Sequence, residues 1–260
     1  MLFQRGMAAY RPKGAVAEAA RLRFSERAPS PALAAAVARL WSVEAEAGAT
    51  VRTLPDGCVD VTVDLGARRA WLTGPREASF TFTHARATRL FGVQLQPGHA
   101  RAVLGVDVGA LGPERRPLGD FVDDAEALAA AVCGARDEDG RVHAMERWLA
   151  ARLGVAEPRL QRALETLADS DGTARVAELA RIAGASPRNL DRLFLRWVGT
   201  TPKKLARIVR FQAALARLRA GRAVDWAAVA AELGYADQSH LIRDFAEFSG
   251  LSPSALRARL

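Results

Sequence analysis

Cysteine and histidine are scarce in this chain. Among its 260 residues there are two cysteines, Cys58 and Cys133, and four histidines. Two cysteines are too few for a disulfide framework or a cysteine-rich zinc site, which is typical of proteins in a reducing compartment. His84 and His99 are fifteen residues apart, a spacing that does not fit the histidine pair of a metal-binding barrel. We therefore expect neither a bound metal nor a cofactor.

Long apolar runs and familiar catalytic motifs are also missing. No uncharged stretch approaches the roughly 18 residues that a spanning helix needs, and Met1–Tyr10 lacks the apolar core of a signal peptide. The sequence contains no P-loop, no glycine-rich dinucleotide motif and no nucleophile-elbow motif. These absences predict a cytoplasmic protein with no membrane partner, no catalytic residues and no enzymatic activity.

Positive charge is concentrated in the last hundred residues. The segment from Arg159 to Leu260 holds 17 lysines and arginines against 10 carboxylates, whereas residues 1–158 hold 20 against 19. A basic terminal region attached to a nearly neutral body indicates a polyanionic partner. The alternative is that these cations only solvate a helical surface.

The N-terminal half has the pattern of short β-strands. Residues 58–64 alternate strictly, with three valines on one face and Cys58, Asp60, Thr62 and Asp64 on the other. Turn residues precede this run at 55–57 and follow it at Gly66. Further short runs lie at 70–73, 79–83 and 89–96. Short strand-like runs separated by turn residues predict an antiparallel sheet that is closed or folded into a barrel or sandwich.

Helical periodicity replaces strand alternation after about residue 120. Residues 123–133 and 141–153 read as amphipathic helices joined by a polar connection at 134–140, and 154–158 reads as a boundary. The sequence thus predicts an α+β protein in three parts. These are a β-rich ligand-sensing domain at 1–122, a helical linker or dimerisation region at 123–157, and an all-α domain at 158–260.

An internal repeat occupies the C-terminal domain. Shifting the sequence by 51 residues aligns seven pairs of identical residues. The pairs are Ala180 with Ala231, Leu190 with Leu241, Arg192 with Arg243, Phe194 with Phe245, Gly199 with Gly250, Pro202 with Pro253, and Leu205 with Leu256.

Each copy of the repeat predicts two helices separated by a tight turn. In the first copy, residues 176–183 form a helix, Gly184 and Ala185 turn, and Ser186 caps a second helix that runs to Val198. The second copy predicts helices at 226–233 and 238–249, a turn at 234–236 and a cap at Asp237. A helix, a short glycine-containing turn and a capped helix make a helix-turn-helix unit, whose second helix presents side chains to base edges.

The outward positions of both second helices carry side chains suited to base reading. Arginine can donate two hydrogen bonds to guanine, asparagine or glutamine can bind adenine, and serine can bind several base edges. An ordinary helical hairpin with a solvated polar face is the alternative, and two copies in register make it less favoured. The predicted readers are Arg188, Asn189, Asp191 and Arg192 in the first unit, and Gln238, Ser239, His240 and Arg243 in the second.

Residues 202–220 predict one connecting helix between the units. A helix of roughly 18 residues is about 27 Å long, the right order to hold two recognition helices about one DNA turn, roughly 34 Å, apart. Its Lys203, Lys204, Arg207 and Arg210 are candidates for phosphate contacts, or else plain surface charges.

Residues 160–260 resemble the AraC/XylS family of transcription regulators. The resemblance is carried by VAELARIAGASPRNLDRLF at 176–194 and by AAELGYADQSHLIRDFAEFSGLSPSALR at 230–257. It implies double-stranded promoter DNA as the partner, two recognition helices in adjacent major grooves, and RNA polymerase as a further candidate partner. It also implies base-reading roles for Arg188, Asp191, Arg192, Gln238, Ser239 and Arg243. Asp191 departs from the neutral or basic reader common at its position; it can accept from cytosine, pair with a neighbouring arginine, or repel phosphate.

The N-terminal half resembles the sensor-like domain of some of these regulators. LPDGCVDVTVDLG at 54–66, LTGPR at 72–76 and RLFGVQLQPG at 89–98 carry the resemblance. It implies a distorted cupin-type barrel followed by helices used in contacts between two copies of the chain.

The resemblance alone implies no ligand, but a pocket that senses a small-molecule effector is a better alternative to catalysis than a purely structural barrel. The candidate residues that bind the effector are Trp41, Cys58, Asp60, Trp71 and Gln94. The alternatives are a solvated strand face with core tryptophans and, for Cys58, either a redox sensor or an unreactive thiol. The rival functions are a ligand-processing cupin fused to a DNA-binding tail and a regulator that needs no effector.

Overall fold

A computed structural model of the chain describes residues 15–17, 21–220 and 224–259. The prediction made for Met1–Tyr10 lies outside these residues. Strands occupy the first part of the chain and helices the rest, so the predicted α+β class is confirmed. Within the described ranges, no helix is both long and apolar enough to cross a membrane.

The secondary structure elements follow one another in a simple order. The strands are β1 Ala15–Ala17, β2 Leu22–Arg27, β3 Val37–Ala45, β4 Thr50–Thr53, β5 Val59–Asp64, β6 Arg69–Thr73, β7 Phe80–Thr83, β8 Thr88–Leu95 and β9 Arg115–Pro117. The helices are α1 Ala100–Leu104, α2 Ala125–Gly134, α3 Glu138–Arg152, α4 Pro158–Asp169, α5 Val176–Ile182, α6 Pro187–Trp197, α7 Pro202–Arg219, α8 Trp226–Glu232, α9 Gln238–Ser249 and α10 Pro253–Arg257.

The predicted barrel takes the form of two antiparallel sheets. One has three strands in the order β1-β4-β7, and the other has six in the order β2-β3-β8-β5-β6-β9. The four strand runs expected from the sequence correspond to β5, β6, β7 and β8. The sequence did not indicate the other five strands. For β2, the reason is that five of its six residues are exposed and no apolar alternation marks it.

One face of the six-stranded sheet is apolar and is covered by helices. Val61 and Val93 on the sheet share a continuous core with Leu128 of α2 and with Met145 and Leu149 of α3. Helices α2 and α3 therefore pack on the sheet as part of its core. Helix α3 begins at Glu138, three residues before the predicted start, because the Asp137 side chain accepts a hydrogen bond from the Gly140 backbone N–H and caps it.

The C-terminal helices enclose two separate cores that meet at α7. The first core contains Leu179, Phe194 and Leu205. The second contains Phe211 and Phe245 together with other side chains of α7 to α10, and Leu54 from the N-terminal region also belongs to it. The two helix-turn-helix units are thus joined by one shared helix.

The offset between the two units is not constant, which corrects one pair of the repeat. Helices α6 and α9 follow N-caps 51 residues apart, whereas α5 and α8 follow N-caps 50 residues apart. Ala180 therefore matches Ala230, and both are buried, while Ala231 is exposed. The Ala185 and Tyr235 backbone N–H groups donate to these two carbonyls, each at 2.9 Å. The second turn has one extra residue before its cap.

Candidate nucleic-acid interface

Both recognition helices, α6 and α9, begin with a capped N-terminus. The Ser186 hydroxyl accepts a hydrogen bond from the Asn189 backbone N–H at 3.3 Å, and Pro187 occupies the first turn. The Asp237 carboxylate accepts from the His240 backbone N–H at 2.7 Å. These bonds satisfy backbone donors that a helix start otherwise leaves open. The caps therefore hold the first turn of each helix in a defined geometry.

Most of the predicted base-reading side chains stand outward on the first two turns of these helices. Seven of the eight residues are exposed: Arg188, Asn189, Asp191, Arg192, Gln238, Ser239 and Arg243. The eighth, His240, is half-buried, and its ring meets the Tyr235 ring edge-on at 5.2 Å. Across the described part of the chain, no ion pair or side-chain hydrogen bond engages the three arginines of this set. Their guanidinium groups are available to a partner.

Asp191 makes no ion pair with any described residue, although two arginines lie close to it in sequence. The alternative in which it pairs with a neighbouring arginine is therefore absent from the structure. Acceptance of a hydrogen bond from cytosine and repulsion of phosphate both remain open for this carboxylate.

The four cations predicted on the connecting helix α7 differ in their surroundings. Lys203 is exposed, whereas the Lys204 ammonium donates to Glu247 of α9 at 2.7 Å. Arg207 donates to Asp244 at 2.7 Å and also to Glu247. The guanidinium of Arg210 lies 5.2 Å from the centre of the Tyr235 ring. Three of the four cations are thus engaged within the domain, which the sequence did not reveal.

A buried carboxylate anchors the second recognition helix. The Asp244 side chain is 1% exposed and is paired with Arg207. Hydrogen bonds from Arg207 and Lys204 lower the pKa of nearby Glu247 to about 2. This cluster was not predicted, although Asp244 in the middle of an apolar helical pattern is a signal in the sequence. Burial of an ion pair fixes geometry, because either charge left alone there is costly.

The face of the six-stranded sheet opposite the helices is polar and aromatic. In register across four strands lie Trp41, Gly92, Thr62 and Trp71. The Trp41 indole lies over Gly92, where a Cβ atom would stand 2.5 Å from the ring. Only glycine at that position lets the ring lie flat on the strand.

Four of the five predicted effector residues contribute to a hydrogen-bonded group on this face. Trp41 Nε1 donates to Asp60 at 3.1 Å, and Gln94 Nε2 donates to Asp56 at 2.9 Å. The Cys58 backbone N–H donates to the same Asp56 carboxylate at 3.0 Å. Trp71, the fifth residue, lies across Thr62 from this group. Asp56, which accepts hydrogen bonds from both Gln94 and Cys58, was not indicated by the sequence.

Burial changes the acid–base properties of this group. Withdrawal from water and the neighbouring Asp56 raise the pKa of Asp60 to about 7. Burial and the two carboxylates also raise the pKa of the Cys58 thiol well above its usual range. A thiol held protonated is a poor nucleophile, which favours the unreactive alternative for Cys58.

Several buried polar atoms near this face have no hydrogen-bond partner among the described residues. They are Trp71 Nε1, His84 Nε2 and Gln94 Oε1. The guanidinium of Arg115 lies 4.5 Å from the centre of the Trp71 ring. Buried polar atoms are nearly always hydrogen-bonded in folded proteins, so these atoms can serve a ligand or ordered water.

A separate cavity of about 680 Å³ opens where strands β2 and β8 begin and β3 ends. None of the five predicted effector residues lines it. Its charged lining residues are Arg21, Arg23, Glu44, Glu46, Asp64, Arg86 and Arg89. In the same described ranges, no group of three or more histidine, cysteine or carboxylate side chains is placed to hold a metal ion.

Two domain families match the chain. Residues 179–259 match a helix-turn-helix domain family, and residues 25–116 match a domain of unknown function, DUF6597. The curated HTH-type transcriptional regulator GlxA of Rhizobium meliloti is 30% identical over 207 residues. That alignment covers 73% of this chain and 61% of the relative, so the chain matches less than two thirds of the relative's length.

Two solved structures also align with the chain. An AraC-type DNA-binding domain protein from Chromobacterium violaceum is 22% identical and aligns with a TM-score of 0.36, covering 39% of this chain and 90% of its own. Apo ToxT from Vibrio cholerae is 11% identical, with a TM-score of 0.44 over 92% and 97% of the two chains. On the family match, residues 179–259 form a helix-turn-helix domain, and over 73% of its length the chain is similar to a curated transcriptional regulator.

Proposed function

We propose that the chain is a sequence-specific DNA-binding transcriptional regulator whose helices α6 and α9 enter two adjacent major grooves. The observation that carries the proposal is that the first two turns of the two capped helices expose three arginines, Arg188, Arg192 and Arg243, which form no ion pair with another described residue. An unpaired guanidinium at such a site can fork to the O6 and N7 atoms of guanine.

The connecting helix supports reading of two grooves on one side of the duplex. Helix α7 has 18 residues, and at 1.5 Å per residue it is about 27 Å long. This is close to the roughly 34 Å repeat of the major groove. Exposed Lys203 near its start is the remaining candidate for a phosphate contact that adds affinity without sequence information.

The experiment is selection of bound duplexes from a random-sequence pool with the full chain, followed by footprinting of the winners and of promoter fragments. We expect two protected segments about one helical turn, 10–10.5 base pairs, apart. Lys203→Ala should weaken binding to selected and random DNA alike and make it less salt-dependent. If no duplex were protected even at low salt, the proposal would fail.

A second part of the proposal is that the N-terminal region binds a small-molecule effector. The polar face around Trp41, Asp60 and Trp71 favours it, because unpartnered buried donors and acceptors lie beside two indole rings. Binding pockets commonly combine aromatic walls with a few convergent polar groups. The cavity lined by Arg89 and its neighbours is the other place where an effector could bind.

A thermal-shift screen of small organic acids and amines distinguishes these two places. A compound bound on the polar face should raise the melting temperature of the wild type and of Arg89→Ala, and should lose its effect in Trp41→Phe. The opposite pattern would assign the effector to the cavity. No shift with any compound would favour the regulator without an effector, and stoichiometric metal in the purified protein would favour the ligand-processing cupin.

The remaining partners belong to the same proposal. We infer three functional segments at 1–122, 123–157 and 158–260, with the middle helices contributing to a homodimer and with RNA polymerase contacted at the promoter. Light scattering of the free protein and of its DNA complex would test the dimer. A single copy of the chain on each selected duplex would contradict it.

A further inference from the structure

The first recognition helix rests its C-terminal end on the N-terminal region. Arg196 Nε donates to Asp107 at 3.1 Å, and Arg101 also pairs with this carboxylate. At Gly109 the backbone approaches so closely that a Cβ atom would lie 2.8 Å from the Leu195 carbonyl oxygen. The end of α6 is therefore seated against the segment that contains Asp107 and Gly109.

The second recognition helix is held by the N-terminal region at the equivalent end. Arg52 of β4 donates from Nη1 to the Ser249 carbonyl at 2.8 Å. Ser249 is the last residue of α9, where carbonyl groups lack helical partners. A guanidinium at this end satisfies such a carbonyl and complements the negative end of the helix dipole.

A third contact joins the N-terminal region to the connecting helix. Gln212 of α7 donates from Nε2 to the Pro55 carbonyl at 2.8 Å, and the bond is buried. Gly57 faces Leu205, whose Cδ1 atom would stand 2.6 Å from a Cβ at that position. The loop that follows β4 thus lies on α7 between the two units.

Without these contacts, α7 is the main element that sets the angle between the units. The two units have separate hydrophobic cores, and α6 and α9 each pack on α7. A single helix can bend gently along its length. A body that touches both recognition helices and the middle of α7 removes much of that freedom.

We infer that Asp107 and Arg52 are positioning residues, through which the N-terminal region fixes the two recognition helices relative to each other and so determines which half-site spacing the protein accepts. The inference rests on the proposed function, because spacing matters only if both helices read DNA. Asp107 and Arg52 contact Arg196 and Ser249, near the C-terminal ends of α6 and α9, so their removal leaves the base-reading side chains on the first two turns in place.

DNA geometry makes this inference measurable. At about 10.5 base pairs per turn, two inserted base pairs turn the second half-site by about 70° around the duplex axis. A rigid pair of recognition helices cannot follow that rotation, whereas a pair connected only through α7 can follow part of it. The spacing profile therefore reports the coupling between the units.

The experiment measures binding of the full chain to a selected duplex and to derivatives with one to three base pairs inserted or deleted between the half-sites. With two inserted base pairs, we expect the affinity of the wild type for the duplex to fall about 30-fold. The affinity of the Arg52→Ala, Asp107→Ala double variant should fall about fivefold or less. Both values lie within the usual range of coupling between sites. Arg52→Lys keeps a donor and should restore part of the steep profile.

The matched control is Asp120→Ala, which breaks the exposed ion pair between Arg116 and Asp120 in the same region without facing the helix-turn-helix domain. It should keep the wild-type profile. If affinity depended on half-site spacing as steeply in the double variant as in the wild type, the inference would be overturned. The proposed DNA binding would not be affected by that result. Absence of any selected duplex for the wild type would instead overturn the proposed function. Single variants with unchanged circular dichroism replace the double variant if that fails to fold.

Discussion

Arg196 and Glu247 occupy the same position of the two recognition helices, 51 residues apart, and carry opposite charges. Arg196 extends to Asp107 in the N-terminal region, whereas Glu247 pairs with Lys204 on the connecting helix. Three positions earlier, half-buried Leu193 in the first unit corresponds to buried Asp244 in the second. The first helix is thus oriented by apolar packing and an ion pair to another region, and the second by a charged cluster within its own domain.

The largest expected effect comes from breaking the charged cluster of the second unit. Arg207→Met leaves Asp244 buried without its partner and should lower the free energy of unfolding by about 3–5 kcal/mol. Adding Asp244→Leu, which copies the first unit, should recover most of the loss. Urea unfolding monitored by circular dichroism measures both values. A loss below about 1 kcal/mol in the single variant would show that the cluster does not anchor the helix.

Base reading by the two units can be compared at Arg192 and Arg243. Each alanine variant should lose about 1–3 kcal/mol of discrimination at one base pair, in a different half-site for each variant, because both side chains are exposed and unpaired. Competition binding with single-base changes in a selected duplex measures the loss. Equal weakening on specific and random DNA would contradict base reading, and loss in only one variant would assign sequence reading to one unit.

Removal of the helix caps should give the smallest losses of stability, and the losses should be similar in the two units. Ser186→Ala and Asp237→Ala should each cost about 1 kcal/mol of stability. The cost should be greater for Asp237, because its carboxylate also interacts with the helix dipole and its hydrogen bond is shorter, at 2.7 Å against 3.3 Å. Thermal unfolding measures the difference. Asp237→Asn serves as the control, since it keeps the cap without the charge. Equal losses of stability in the two alanine variants would show that the Asp237 charge does not contribute.

The helix-turn-helix units were predictable because their signals are local. Caps such as Ser186 and Asp237, turn glycines and apolar periodicity all act within a few residues along the chain. The single residue inserted in the second turn could not be detected from the repeat. The identical residue pairs that lie C-terminal to the insertion determined the offset of 51 residues, and this offset was applied to the whole repeat. Burial of Ala180 and Ala230, which only the packed helices reveal, shows where the offset changes.

The attachments between elements could not be predicted. Contacts such as Arg52 to Ser249 join residues nearly two hundred positions apart, and no local pattern encodes such a partner. The engagement of Lys204 and Arg207 likewise depends on how α9 packs on α7. Strand β2 escaped for a different reason: it is an edge strand with mostly exposed side chains, so it lacks the alternation that marks a half-buried strand.

Leu54 lies 3% exposed in the same core as Phe211 and Phe245. A fragment beginning at residue 158 would therefore lack part of its own interior and would expose an apolar hollow to water. Proteolytic cleavage in the 154–158 segment should accordingly yield two pieces that remain associated and co-elute, separating only under denaturing conditions. Excising residues 158–260 from this chain would therefore separate the helix-turn-helix domain from a side chain of its own core.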